Sequence, residues 1–455
     1  MILKKIKSEG IAHNSYFIGS KNDAAVIDPR RDCKEYLDIA EKNQMNIKYI
    51  FETHRNEDYV IGSKELQKIT DADIYHGSKL DFKYGKKTKE KDKFQIGFLE
   101  LEILETPGHT DESISITVKD KKVSKEVFMI FTGDTLFAGD VGRTDLYGEK
   151  EKKRLAETLY NSLHKKILLL GDGVIVCPAH GKGSVCGKEI SDHEYTTIGY
   201  EKKTNKLLKK SKEGFIEYKT REHHYIPSYF KQMEKYNKDG PPIIDNLPNL
   251  KSLNVEEFKK IKSKNAQILD VRKPVSFSGG HIPESLNIWQ DGIPMFAGYF
   301  LNYNNPILIV DDFNTNLENV TRRLIRLGYD NIYGYLKNGF SNWANSNEKI
   351  EKIETWTPEI LKTNLDKKLV YLLDVRDISN LKEPGYIKDA NHSYIGELKE
   401  DIEKIPKNKD VVVYCDSGFK TSIASSYLTK NGFSTVINLS GGILAWQKAG
   451  YKLFK

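Results

Sequence analysis

The chain has 455 residues, 38% hydrophobic, 11% aromatic and 30% charged. At roughly 150 residues per domain that suggests about three domains, and it excludes a disordered chain or a disulfide-framed miniprotein. The 71 basic and 64 acidic side chains leave a formal charge of +7 spread thinly over a lysine-rich chain. The basic stretch at residues 202–212 lacks interleaved aromatics and any module signature, so it reads as a solvated helix face, and no nucleic-acid partner is expected. No apolar run approaches the roughly 18 residues of a spanning helix, and Met1-Ile2-Leu3-Lys4-Lys5 opens no signal-peptide core. A chain that stays in the cytoplasm, without a membrane partner, is expected. Cys33, Cys177, Cys186 and Cys415 form no CxxC pair, and in a reducing compartment each is expected to be a thiol.

In chain order, the first 240 residues read as short strands that end in histidine or aspartate. Phe17-Ile18-Gly19 and Ala25-Val26-Ile27-Asp28 suggest an opening hairpin, with Cys33 at a helix start. Lys48-Tyr49-Ile50-Phe51 runs into Thr53-His54, residues 101–104 into Pro107-Gly108-His109, residues 127–131 into Gly133-Asp134, and Val174-Ile175-Val176 into Pro178-Ala179-His180. Ligands gathered at strand ends suit a sheet-borne metal site, because rigid strands fix the loop residues that follow them. Residues 237–254, with Gly240-Pro241-Pro242 and Pro248, read as a linker, and a second linker is expected near residues 345–357.

Between and beyond those linkers lies an internal repeat with a period near one hundred residues, too long for a solenoid. Ile268-Leu269-Asp270-Val271-Arg272 recurs as Leu372-Leu373-Asp374-Val375-Arg376, Gly280-His281-Ile282-Pro283 as Gly385-Tyr386-Ile387-Lys388, and Gly339-Phe340-Ser341-Asn342-Trp343 as Gly442-Ile443-Leu444-Ala445-Trp446. Each copy has a short apolar strand, Ile307-Leu308-Ile309-Val310 or Val411-Val412-Val413-Tyr414, then a loop and a helical pattern. That alternation predicts two small α/β domains with parallel sheets. The expected domains are residues 1–240, 250–348 and 355–455, the Leu-Asp-Val-Arg runs being structural ion pairs.

The loop Thr53-His54-Arg55-Asn56-Glu57-Asp58-Tyr59 resembles the His-x-His-x-Asp-His signature of the metallo-β-lactamase superfamily, with Asn56 and Tyr59 at two ligand positions. The other elements are Pro107-Gly108-His109-Thr110, Thr132-Gly133-Asp134-Thr135 and Pro178-Ala179-His180-Gly181. The resemblance implies an αββα sandwich. A two-metal hydrolase needs both ligand sets to activate water between its ions, and that site is incomplete in this chain. His54, His109 and Asp134 remain, two imidazoles and one carboxylate, the ligand set of a facial triad that holds Fe(II) with open positions. Persulfide dioxygenases, an iron-dependent branch of the superfamily, bind metal through the corresponding positions. The resemblance extends to Gly142-Arg143-Thr144-Asp145 and Ile226-Pro227-Ser228-Tyr229-Phe230-Lys231-Gln232-Met233.

By that resemblance one Fe(II) per chain and O2 convert the outer sulfur of a low-molecular-weight thiol persulfide to sulfite. Asp58 and His180 are then groups that orient ligands or water, and Arg143 either orders the metal loop, grips a substrate carboxylate or simply pairs with Asp145. Glutathione-specific relatives carry a tyrosine shortly after the last histidine, where this chain has Gly181-Lys182-Gly183-Ser184, so the carrier thiol stays open between glutathione, coenzyme A and bacillithiol types. Cys186 follows closely enough to border the pocket, as a small buried thiol, a sulfane-sulfur acceptor or a substrate contact. Cys33 and Cys177 receive only a structural reading.

The strand ending at Cys415 enters the loop Asp416-Ser417-Gly418-Phe419-Lys420-Thr421 and then a helical pattern. Backbone N–H groups in such a loop form an anion nest that favours a thiolate or persulfide, and Lys420 adds positive charge. The loop resembles the rhodanese Cys-x-x-Gly-x-Arg-Ser loop, with Lys420 for arginine and Thr421 for serine, which implies Cys415 as the nucleophile. In the first repeat Asp311-Asp312-Phe313-Asn314-Thr315-Asn316 aligns with that loop, and an aspartate cannot carry a persulfide, so this copy is expected to be inactive. The whole chain thus resembles a persulfide dioxygenase fused to two rhodanese domains. The resemblance implies sulfide detoxification: sulfite from the iron site, sulfur transfer at Cys415 and thiosulfate as product or donor. A homo-oligomer is expected only by analogy. The alternatives are a zinc thioesterase like glyoxalase II with an appended sulfurtransferase, and a non-catalytic sulfane-sulfur relay.

Overall fold

Alternation along the first strands explains the N-terminal architecture. Successive side chains of a strand point to opposite faces. Tyr16 and Ile18 of the strand His13–Ser20, Ala25 and Ile27 of Asp23–Ile27, and Phe51 of Asn46–Glu52 all face one layer. Phe17, Ala24, Val26 and Ile50 face the other, under Tyr36 and Ala40 of the helix Lys34–Lys42 and Leu66 of the helix Ser63–Thr70. Cys33 caps the first of those helices. Because both faces are covered, every residue of His13–Ser20 is buried.

The computed structural model describes residues 1–367 and 369–455. By internal contact they form two units, Met1–Leu247 with Ile325–Gly328, and Pro248–Leu324 with Tyr329–Lys455. The first unit has two sheets of six strands. One runs from Ile2–Ser8 through the hairpin to Asn46–Glu52, Asp73–Gly77 and Lys86–Thr88. The other has the order Thr196–Thr197, Ile175–Pro178, Met129–Gly133, Ile114–Asp120, Leu99–Glu105, Lys93–Ile96. Their inner faces share one core, in which Leu101, Ile116, Met129, Phe131 and Cys177 meet the residues named above. Ile130 and Val176 point outward and pack against Leu159 and Leu163 of the helix Glu149–Lys165. The result is helix, sheet, sheet, helix: the expected αββα sandwich. A fully buried Leu, Ile, Val or Phe contributes roughly 1.5–3 kcal/mol, so this two-sided burial is the main term that holds the strand ends in place.

The second unit has two five-stranded sheets with the same order and only parallel pairs. The first is Lys251–Leu253, Ile332–Leu336, Ile307–Val310, Gln267–Asp270, Leu286–Asn287; the second is Glu354–Trp356, Val436–Leu439, Asp410–Tyr414, Val370–Asp374, Asn391–His392. The duplication reaches single bonds. Arg272 pairs with Asp270 at 2.7 Å and Arg376 with Asp374 at 2.6 Å, all buried, and the indoles of Trp343 and Trp446 donate to the carbonyls of Lys349 and Lys452.

Three local expectations are corrected. The basic stretch at 202–212 is not one helix face: the helix Ile198–Thr204 stops at Asn205, whose side chain turns back to the Asp140 carbonyl, and the next helix begins at Lys212. The linker is shorter than 237–254, because the helix Phe230–Asp239 runs through Asn237, whose buried amide donates to the carbonyls of Asn56 and Tyr59. The strand expected at 127–131 starts at Met129.

Candidate metal centre and thiol loop

Four strand ends of the sandwich converge on one buried polar cluster. Asn46–Glu52 delivers His54, Leu99–Glu105 delivers His109, Met129–Gly133 delivers Asp134, and Ile175–Pro178 delivers His180; none is more than 2% exposed. Close approach is built into the backbone. Gly133 sits at φ 52°, and a Cβ there would lie 2.7 Å from Thr53 Oγ1, so the strand end carrying Asp134 can come this near to the His54 strand only as glycine.

The two histidines are oriented by their Nδ1 atoms. Thr53 Oγ1 donates to Asp28 Oδ2 at 2.7 Å and lies 2.9 Å from His54 Nδ1, which therefore donates to it. His109 Nδ1 donates to the Arg143 carbonyl at 2.9 Å. Both Nε2 atoms are left bare, buried and without a hydrogen-bond partner, as is Asp134 Oδ2. His54 Nε2 and His109 Nε2 lie 3.8 and 3.5 Å from that oxygen. Such distances are too long for direct bonds, and they surround a space in which one cation would satisfy all three atoms. Burial pushes the pKa of His54 down. It also opposes the charged form of His109, but the carboxylates of Glu57 and Asp134 overcome that and raise its pKa; a bound cation would take the place of that proton.

Asp134 uses its other oxygen elsewhere. His180 Nδ1 is 2.7 Å from Asp134 Oδ1, and His180 Nε2 is 3.0 Å from Asp58 Oδ2. Burial disfavours an imidazolium at His180, yet the two carboxylates outweigh it and hold its pKa well above the usual value, while the histidines around Asp134 outweigh the effect of burial and hold its carboxyl well below the usual range. Asp58 and His180 thus stand beside the three orphaned atoms and brace Asp134.

One member of the cluster was not singled out by sequence reasoning. Glu57 is fully buried, its Oε1 accepts from Arg55 Nη2 at 3.2 Å, and its Oε2 lies 3.5 Å from His109 Nε2 without a hydrogen-bond partner. Burial resists its ionisation, but His109 and Arg55 hold its carboxyl at about 2. Its only sequence signal was an acid three residues after a candidate ligand. Asn56 has φ 53° and turns its amide back to the His54 carbonyl. Tyr59 packs its ring against His13, centroids 4.0 Å apart.

Arg143 is fully buried and clamps Asp145 through two bonds of 2.6 and 2.9 Å, with further bonds to the carbonyls of Val185 and Tyr225. Its own carbonyl holds His109, so this geometry orders the loop around His109. Cys186 is buried with Phe137 and Ile190, and its sulfur is within 4.8 Å of the ligand atoms of His109 and Asp134. It therefore borders the cluster, and burial, followed by the charges of Asp134 and Asp58, pushes its thiol well up, toward the protonated form. A cleft of about 350 Å³ reaches His180 from solvent, with Lys5, Lys7 and Lys182 on its walls opposite Glu9, Asp192 and Glu194; Lys7 pairs with Glu194 and Lys182 with Asp192.

In the last domain the strand Asp410–Tyr414 places Cys415 at the mouth of a tight loop. The Gly418 N–H, at φ 103°, donates to Cys415 Sγ at 3.1 Å, and the helix Phe419–Lys430 starts at the next residue. Lys420 is not free: its Nζ lies 3.1 Å from Asp416 Oδ2, while Asn380 holds Asp416 Oδ1. Thr421 is buried and its hydroxyl has no partner. Ser417, Gly418 and Phe419 line a cleft of about 530 Å³ together with Val275 and Ser278 of the preceding repeat. In that repeat Asp311 takes the place of Cys415. Phe340 N bonds to the Asp311 carbonyl at 2.9 Å, as Ile443 N bonds to that of Cys415 at 2.9 Å. The carboxylate is occupied by Asn314, and no thiol stands there.

The geometry defines a metal-site sandwich joined to two thiol-loop folds, only one of which has its thiol. Comparison with known proteins agrees. Residues 9–180 match the metallo-beta-lactamase superfamily, and residues 254–346 and 357–449 each match the rhodanese-like domain. Hydroxyacylglutathione hydrolase GloC of Haemophilus influenzae is 28% identical over 210 residues, 41% of this chain and 88% of that protein. The mitochondrial persulfide dioxygenase ETHE1 of Bos taurus is 27% identical over 243 residues, 51% of this chain and 80% of that protein. A solved metallo-beta-lactamase from Staphylococcus aureus subsp. aureus COL superposes with TM-score 0.67 at 28% identity, covering 74% of this chain and 99% of that one. The chain is a metallo-beta-lactamase superfamily domain followed by two rhodanese-like domains. Among the described residues no helix is long and apolar enough to cross a membrane.

Proposed function

We propose that the N-terminal domain is a mononuclear Fe(II) persulfide dioxygenase and that the last domain transfers sulfur through Cys415. The observation that carries the reading is the trio of orphaned atoms, His54 Nε2, His109 Nε2 and Asp134 Oδ2, combined with an asparagine and a tyrosine where a second metal would need imidazoles. The similarity to a persulfide dioxygenase supports it; the similarity to a hydroxyacylglutathione hydrolase supports the fold equally. Iron supplies the activation of O2 in such a site. The overall change balances as RSSH + O2 + H2O giving RSH, sulfite and two protons.

The protein's own groups have separate tasks. Thr53 and the Arg143 carbonyl hold both imidazoles with Nε2 inward. His180 takes one oxygen of Asp134 and leaves the other to the metal. The cleft at His180 carries lysines and acids in equal number, with Lys7 paired to Glu194 and Lys182 to Asp192, so its walls do not select the carrier thiol by charge. At Cys415 the Gly418 N–H stabilises sulfur anions, and a cysteine persulfide gives its outer sulfur to sulfite, leaving thiolate and thiosulfate; the reverse direction uses the same groups. The middle domain, with Asp311 in the thiol position, braces the catalytic helix.

The test is oxygen uptake by anaerobically iron-loaded protein given persulfides of glutathione, coenzyme A and bacillithiol, with sulfite and thiosulfate quantified, beside a thioester hydrolysis assay on zinc-loaded protein. Uptake with sulfite formation supports the reading. Thioester hydrolysis without uptake replaces it by the hydrolase.

A further inference from the structure

The buried cluster contains more donors than a facial triad requires, and one of them, Glu57, has a bare oxygen 3.5 Å from His109 Nε2. We infer that Glu57 is a fourth protein ligand of the metal, through Oε2, so that the centre is held by two histidines and two carboxylates. This deepens the function proposed above and rests on its placement of the metal.

Six buried atoms around this site lack any hydrogen-bond partner: His54 Nε2, His109 Nε2, Asp134 Oδ2 and Glu57 Oε2, with Asn56 Oδ1 and Asp58 Oδ1 beside them. The first four face one another. Glu57 Oε2 is 3.5 Å from His109 Nε2, the same distance that separates His109 Nε2 from Asp134 Oδ2, and the donor atoms of His54, Glu57 and His109 all lie within 4.8 Å of one another. A carboxylate oxygen with zero exposure and no partner is costly to bury, and a cation between these atoms removes that cost at all four. The other oxygen of Glu57 is fixed by Arg55, whose guanidinium also reaches Glu234 and whose backbone N–H donates to Glu112. Metal-ligating carboxylates are held in this way by an outer hydrogen bond.

Charge fits as well. His180 lies between Asp58 and Asp134, and Asp134 and Glu57 together bring two negative charges to a divalent ion. On a six-coordinate ion, four protein ligands leave two exchangeable positions rather than three. In a tetrahedral zinc site four protein ligands would leave none.

The experiment measures metal retention rather than turnover. Full-length protein is loaded anaerobically with Fe(II), and separately with Co(II), then titrated with a chelator, for wild type, Glu57→Gln, Glu57→Asp and His109→Ala. The metal-free melting temperature of each variant is recorded to establish folding. Glu57→Gln is expected to weaken retention by about tenfold or more and to shift the visible d–d bands of the Co(II) protein, with Glu57→Asp between it and wild type. Unchanged retention and bands in a folded Glu57→Gln, with metal lost in His109→Ala, would overturn the inference and leave three ligands. Retention unchanged in His109→Ala too would instead sink the metal placement on which the proposed function rests.

Discussion

His180 Nδ1 lies 2.7 Å from Asp134 Oδ1, and this one contact divides the aspartate between two tasks: one oxygen is tied to an imidazole, the other is left bare beside His54 and His109. Removing the imidazole frees the carboxylate to rotate. A His180→Ala variant is therefore expected to bind metal about 10- to 100-fold more weakly, without losing any of the atoms that face the metal. Chelator competition on the metal-loaded protein measures it.

The proposed sulfur transfer rests on Cys415, the one thiol of the last domain. Cys415→Ser is expected to abolish thiosulfate formation while oxygen uptake continues and sulfite accumulates. Quantifying both anions by derivatisation and chromatography separates this from a global loss of fold, which would stop uptake as well.

Gly442 supports the same loop from outside. It has φ 57°, and a Cβ there would lie 2.3 Å from the Cys415 carbonyl oxygen. Gly442→Ala is expected to cost roughly 2 kcal/mol or more, since backbone atoms must shift as well as the dihedral strain be borne. Gly148, at φ 86° with nothing within 4 Å of its Cβ position, is the control: its alanine variant bears only the dihedral cost of about 1–2 kcal/mol. Urea unfolding followed by far-ultraviolet circular dichroism, which reports both units, compares the two.

Buried Glu52 gives the sandwich a pH dependence. Burial pushes its carboxyl from 4.5 up to about 8, although Tyr84 hydrogen-bonds both oxygens. The folded state keeps a proton that the unfolded chain releases, so this contribution is fully present below 4.5 and is lost as pH rises through about 8. Wild-type stability should therefore fall more steeply between pH 5 and pH 8 than that of Glu52→Gln, which carries no proton to lose. Urea midpoints across that range decide it.

The two rhodanese-like folds are cross-linked by Asn287, whose backbone N–H donates to Ser426 Oγ at 3.0 Å and whose Oδ1 accepts from Ser422 Oγ at 2.6 Å. Both serines lie on the helix that begins at the thiol loop. Asn287→Ala should destabilise the second unit by about 1–3 kcal/mol, because the Ser422 hydroxyl loses a buried partner. A lowered midpoint for sulfur-transfer activity, at unchanged midpoint for metal retention, is the expected pattern.

Much of this organisation was legible in the amino-acid order. Short apolar strands such as Ile307–Val310, ligand types at strand ends and the recurring Leu-Asp-Val-Arg and Gly-x-x-x-Trp marks all arise from local geometry, which repeats along the chain and so leaves a pattern in it. The replacement of a thiol by Asp311 could be read by aligning one repeat with the other. For the same reason the positions of His54, His109, Asp134, His180 and Cys415 stood out before any coordinates.

Other relationships belong to the tertiary structure alone. That Glu57 turns its free oxygen toward His109 depends on the left-handed turn at Asn56 and on Arg55 holding the other oxygen. The sequence offered the Arg143–Asp145 pair and the place of Cys186 at the pocket as open readings; their geometry comes from how loops 142–145 and 181–187 pack together, with Arg143 N bonded to the Cys186 carbonyl. The sequence by itself determined the layers, the duplication and the residue types at the strand ends, because burial and strand geometry act over a few residues. Only the fold decided which oxygen meets which nitrogen, because those distances are set by segments far apart in the chain, brought together by a shared core.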